Sequence, residues 1–87
     1  MRVRLTQHAL EKFAILKKYG FEITKGQVLD TINNPDRIDT LSRSPLHIAQ
    51  KALDKDHVLR VVYKQKFEII KIIIFYPGRR KQYEKQK

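Results

Sequence analysis

Apolar residues recur at three- and four-residue steps near the start of the chain: Ala9, Leu10, Phe13 and Leu16. That is the period of an amphipathic helix. Thr6 stands where an N-cap is wanted, and Tyr19-Gly20 closes the segment, since glycine takes the left-handed C-terminal conformation at no steric cost. His8 falls in the first turn of this helix, while Glu11, Lys12, Lys17 and Lys18 lie mostly off the apolar stripe. A second, shorter helix follows. Thr24-Lys25-Gly26-Gln27 has the spacing of a capping box. Val28, Leu29 and Ile32 supply the stripe, and Asn33-Asn34-Pro35 ends it, because proline disfavours helix in the residue before it.

After Pro35 the period shortens to two. Residues 37–41 read as a short first strand, and Ser42-Arg43-Ser44-Pro45 as a turn. A second strand carries Leu46, Ile48 and Ala52, and Asp54-Lys55-Asp56 turns the chain again. Residues 58–63 form a third strand, with Leu59, Val61 and Tyr63 on one face and Val58, Arg60 and Val62 on the other. Gln65-Lys66 is a tight connection. Residues 67–76 form a fourth strand, ended by Pro77-Gly78. That strand is apolar on both faces apart from Glu68 and Lys71, which places it inside a sheet. Short connections favour antiparallel neighbours. The order predicts an α+β domain: two N-terminal helices on one face of a mainly antiparallel sheet of about four strands.

The chain has 87 residues, enough for one domain, 1–87, with a single modest core. Apolar residues at 41% exclude a wholly disordered chain. The longest apolar run, 72–77, is far short of the roughly 20 residues that cross a bilayer as a helix. The N-terminus runs directly into polar sequence, so no secretion signal is expected. Without cysteine there is no disulfide, thiolate zinc site or iron–sulfur cluster, and a reducing cytoplasmic interior is the natural compartment.

Charge changes the picture most. Nineteen Lys and Arg against nine Asp and Glu give +10. The excess lies toward the end: residues 1–44 carry eight cations and five acids, residues 45–87 eleven and four. Such a surplus points to polyanionic partners: RNA, DNA or an acidic protein. The alternative is a basic protein whose charges serve solubility alone.

Several standard sites are excluded. Three glycines build no Gly-rich phosphate loop, no Gly-x-Ser-x-Gly elbow is present, and His8, His47 and His57 are not at metal-ligand spacing. Neither a metal nor a cofactor is expected. Cations on a sheet remain, with histidine and tyrosine nearby. RNA transesterification needs only a base for the 2′-OH, cations for the phosphate and an acid for the leaving oxygen. His8 is a candidate base or acid, or an ordinary polar residue in a helical turn. Arg60, alone in an apolar strand, either reaches solvent at an edge or binds phosphate. Lys71, flanked by isoleucines, must snorkel, pair or line a site. Arg79, Arg80 and Lys81 follow the last strand, with Tyr83 close behind. They form a phosphate-binding cluster or simply a solvated basic turn or tail over 79–87.

The pattern Thr-x-His-Ala-x-x-Lys-Phe, then Asn34-Pro35, then Tyr76-Pro77-Gly78-Arg79-Arg80-Lys81-Gln82-Tyr83 resembles a family of small prokaryotic domains related to the RelE and BrnT toxins. The resemblance covers nearly the whole chain. It implies a barnase–EndoU–colicin–RelE type fold with a curved sheet. For toxin-like members it also implies metal-independent RNA cleavage and neutralisation by an antitoxin, here an acidic protein. Carried over by position, His8, Arg60, Arg79, Arg80 and Tyr83 are the matching polar residues. The resulting expectation is an endoribonuclease toxin acting on RNA, including ribosome-associated mRNA. Arg60 with Arg79 or Arg80 would hold the phosphate, and His8 or Tyr83 would move protons. Its rival is a non-catalytic nucleic-acid-binding or protein-interaction module of the same fold.

Overall fold

The structure, a computed structural model, describes residues 2–40 and 45–83. Thr6 opens helix α1, Gln7–Lys18, with one hydroxyl used twice. Its Oγ1 accepts from the Ala9 N–H at 3.0 Å and donates to the Ile73 carbonyl at 2.8 Å. The helix closes at Gly20, whose φ of 90° lets Gly20 and Phe21 donate back to the Lys17 and Leu16 carbonyls. Helix α2, Lys25–Asn33, starts with the full capping box: the Gln27 N–H donates to Thr24 Oγ1, and the Thr24 N–H to Gln27 Oε1. The expected stripe of α1 holds at Ala9, Phe13 and Leu16 but not at Leu10, which is 48% exposed.

Five strands form one sheet: β1 Arg2–Leu5, β2 Arg37–Asp39, β3 His47–Ala52, β4 His57–Lys66 and β5 Ile69–Arg79. Their order is β1-β5-β4-β3-β2. All neighbours are antiparallel except β1 and β5, which run parallel. The architecture is therefore α+β as expected, but the sheet is mixed and carries one strand more than the sequence reading allowed. The extra strand is β1, four residues in which arginine alternates with apolar side chains.

The strand ends also differ. β4 runs on through Gln65 and Lys66, and Phe67-Glu68 is the connection instead. β5 continues past Pro77 and Gly78 to Arg79, because their neighbours Leu59 and Val58 keep the pairing going. Leu46 lies outside β3. The expected turn at 42–44, the first-strand residue Leu41 and the basic residues beyond Tyr83 lie outside the described residues. At the hairpin tip Phe67 has φ 57°, while Glu68 is not among the residues of positive φ. A positive φ in a two-residue hairpin turn is the conformation that favours glycine. A phenylalanine held there carries strain of about 1–3 kcal/mol.

The core lies between the two helices and one face of the sheet. Ala9, Val28, Val61, Ile72 and Phe75 are fully buried there, and Phe13 meets Phe75 with ring centroids 4.6 Å apart. In β5, Ile73 is an extra residue: Val62 pairs with Ile74 and Tyr63 with Ile72. The bulge shifts the alternation, so that Ile70, Ile72 and Phe75 all reach the same core. A short helix, α3 (Arg80–Tyr83), folds onto the opposite side of β4 and β5. Gly78 makes this approach possible, since a Cβ at that position would lie 2.4 Å from a Tyr83 ring carbon. No helix of the described residues is long and apolar enough to cross a membrane.

Candidate nucleic-acid interface

Side-chain alternation divides the residues of β1, β4 and β5 between two faces. Val3, Leu5, Tyr63, Ile70 and Ile72 turn to the helices. Arg2, Arg4, Lys64, Lys66 and Lys71 therefore point to the other face, and all of these are exposed. The register aligns them. Arg4 lies opposite Lys71, and Lys71 opposite Lys64. Arg2 lies opposite Ile69, which faces Lys66. Strands are spaced about 4.8 Å apart, so the Arg4–Lys71–Lys64 row spans roughly 10 Å. Neighbours in the row, one strand spacing of about 4.8 Å apart, are well within the Debye length of about 8–10 Å at ordinary ionic strength, so Lys71 is repelled from both sides. Cross-strand like charges destabilise a sheet. Lys71 thus has no pairing partner among the described residues and is exposed; it sits in a cationic row.

Further along the same face lies a second feature. Arg60 is only 9% exposed. Its Nε donates to the Tyr76 hydroxyl at 3.1 Å and its Nη1 to Gln50 Oε1. The Tyr83 ring stacks on the guanidinium at 4.0 Å. All these partners are uncharged, so a buried cation is held by dipoles and a π face. Arg60, Gln50 and Tyr83 line a cleft of about 450 Å³ together with Arg37, Asp39 and Gln82. Arg37 Nη1 also donates to the Tyr83 carbonyl at 2.8 Å, which fixes α3 over the cleft. The structure thus brings together two of the three expected catalytic residues, Arg60 and Tyr83.

The third, His8, is not brought to them. It is exposed on α1, on the helical side, and the sheet stands between it and Arg60. Arg79, Arg80 and Lys81 form a separate group. Arg79 pairs with His57 at the end of β4 and so points to the helical side of the sheet. The Arg80 N–H and Nη1 donate to the Asp56 and Asp54 carbonyls, and Lys81 is exposed. With Lys55, Asp56 and His57 they border a shallow concavity of about 480 Å³. Beside it, Asp54 accepts from the Asp56 and His57 N–H groups and lies 3.0 Å from His57 Nδ1. The Asp56 N–H, before the His57 contacts, holds the Asp54 carboxyl below the usual aspartate range. Among the described residues no three His, Asp or Glu side chains cluster closely enough to hold a metal ion.

Sequence reasoning missed Arg2, Arg4, Lys64 and Lys66 as parts of one surface, and Gln50 and Tyr76 as the holders of Arg60. The period-two spacing of Arg2 with Arg4 and of Lys64 with Lys66 was the available signal. Reading it required knowing that β1 pairs with β5.

A scan of protein-family models and searches of curated protein sequences and of solved structures returned no match to this chain.

Proposed function

We propose that this protein binds RNA across the face of its sheet opposite α1 and α2, along the exposed cations of β1, β5 and β4 and toward the Arg60 cleft. One observation carries the reading: the aligned Arg4–Lys71–Lys64 row. Lys71 and Lys64 lie on interior strands, so protection of an exposed sheet edge does not account for them. The repulsion is relieved when a polyanion lies across the row, and phosphates of a nucleic acid supply closely spaced negative charge. The choice of RNA rests on the resemblance to the RelE and BrnT toxins, and this reading takes the fold to be of that type. An acidic antitoxin segment is the expected competitor for the same face, inside a cell's cytoplasm.

Cleavage of the bound RNA is the second reading, favoured by the shared cleft of Arg37, Arg60 and Tyr83. In it Arg60 and Arg37 hold the phosphate, and the Tyr83 hydroxyl is the nearest proton-moving group. Arg79 and His8 face the helical side and take no part there.

One experiment addresses both readings. Labelled single-stranded RNA is titrated with protein at several salt concentrations, and each mixture is then run on a denaturing gel. Neutralising about five phosphates gives a slope of log K against log salt near −3.5. Binding that is absent at low salt, or indifferent to salt, overturns the proposal. Shortened RNA that persists in a Tyr83→Phe protein removes Tyr83 from the chemistry.

A further inference from the structure

Phe67 sits at the tip of the β4–β5 hairpin and is 86% exposed, more than any other large apolar side chain described. Its φ of 57° suits glycine or asparagine far better. Neither burial nor turn geometry selects a phenylalanine here. Its surroundings are particular. Lys66 precedes it, Arg2 lies across Ile69 from Lys66, and the Arg4–Lys71–Lys64 row follows two residues along the strands. Arg2, Phe67, Glu68 and Ile69 border a shallow concavity of about 510 Å³.

We infer that Phe67 is a base-stacking platform and that the ligand of this face is a single-stranded rather than a duplex RNA. The inference rests on the proposed binding of RNA to this face and adds what kind of RNA is taken. A phosphate backbone laid along the cationic rows carries its bases past the hairpin tip. An unpaired base can splay out and lie on the exposed ring, whereas bases within a duplex are stacked on their neighbours and keep their faces covered. Stacking on aromatic rings is tolerant of base identity, so the tip confers strandedness rather than sequence preference.

The test compares wild type, Phe67→Asn and Phe67→Trp for affinity to a short unstructured RNA and to a hairpin-free RNA duplex, at one salt concentration. Thermal melting is measured alongside. Asparagine tolerates positive φ, so Phe67→Asn is expected to melt no lower than wild type. Loss of one stacked base weakens single-strand binding by roughly 5- to 150-fold. Duplex binding is expected to stay within twofold, and Phe67→Trp to retain single-strand affinity. Equal single-strand affinity of wild type and Phe67→Asn overturns the inference while leaving the cationic face standing. An equal loss for both RNAs overturns it too, since the ring would then act on the face as a whole. Wild type that binds neither RNA overturns the face and the platform together.

Discussion

Lys71→Glu separates folding from binding on the cationic face. In the sheet Lys71 is directly opposite both Lys64 and Arg4. A cross-strand charge pair contributes roughly 0.2–1 kcal/mol, with the sign set by the charges. Replacing Lys71 by glutamate turns two repulsions into two attractions. At an exposed position, where screening keeps each pair near the low end, the gain is about 1 kcal/mol. For a domain of this size 1 kcal/mol moves the melting temperature by about 4–8 °C. The variant is therefore expected to melt higher than wild type at low salt, and the difference should shrink at 1 M salt, where the Debye length is about 3 Å. RNA affinity should fall over the same low-salt range, and the salt slope should shrink by about one to two, because one phosphate contact is lost and one repulsion added. The assay is thermal melting and RNA anisotropy on the same preparations. A variant that melts lower at low salt refutes the repulsive row. A variant with wild-type affinity and slope refutes the placement of RNA on this face.

Gly78→Ala puts a methyl 2.4 Å from the Tyr83 ring, where ordinary contact begins at 3.4 Å, so ring and helix must retreat by about 1 Å. Loss of the Tyr83–Arg60 stack should cost about 1–3 kcal/mol in a melt, and should cost little in a Tyr83→Ala background; equal costs in both would contradict the close approach. Arg60→Ala leaves the fully buried Gln50 without its partner and is expected to destabilise by about 2–4 kcal/mol by chemical denaturation. Undiminished stability would show that Arg60 is not structural. Asp54 titrates below its ordinary value of 3.8, chiefly through the Asp56 N–H. Its folded pKa is thus depressed, so its contribution is present above pH 3.8 and is lost as pH falls through the lower folded value. Protection of the Asp56 and His57 amides, taken relative to their intrinsic exchange rates, should fall as the pH drops below 3.8, and Asp54→Asn should flatten that dependence. An unchanged profile would assign the loosening to another group.

Local features of the fold were legible in the sequence because their causes are local. The Thr6 cap, the Thr24–Gln27 box and the Gly20 close each need only a few neighbouring residues, and each stands in the structure as the spacing implies. The alternation of β4 likewise separated Arg60 from Leu59, Val61 and Tyr63, though which of the two faces met the helices was not legible. β1 escaped because four residues of alternating Arg and apolar side chains are weak evidence until their partner is known, and that partner lies beyond two helices and three strands. The ends of β5 escaped because proline and glycine normally close a strand, whereas here both pair with β4. The candidate site fared in proportion. Arg60 and Tyr83 meet because Gly78 admits the ring. His8 was grouped with them for its proton-moving chemistry and by resemblance, yet layering decides which face a residue serves, and α1 lies on the other.

The parallel pairing of β1 has a consequence for how the chain comes to be folded. Arg2 pairs with Ile69, and α1 packs chiefly on β5, so the first quarter of the chain has no surface to join until β5 exists. A ribosome adds about 5–20 residues per second, so β1 and α1 wait on the order of 3–13 s for their partners. During that interval Val3, Leu5, Phe13 and Leu16 are without their core, and the cations of Arg2 and Arg4 stand beside Val3 and Leu5. Charge next to an unpaired apolar strand discourages its association with other nascent chains. The arginines of β1 therefore serve the newborn chain before any row of cations has been assembled.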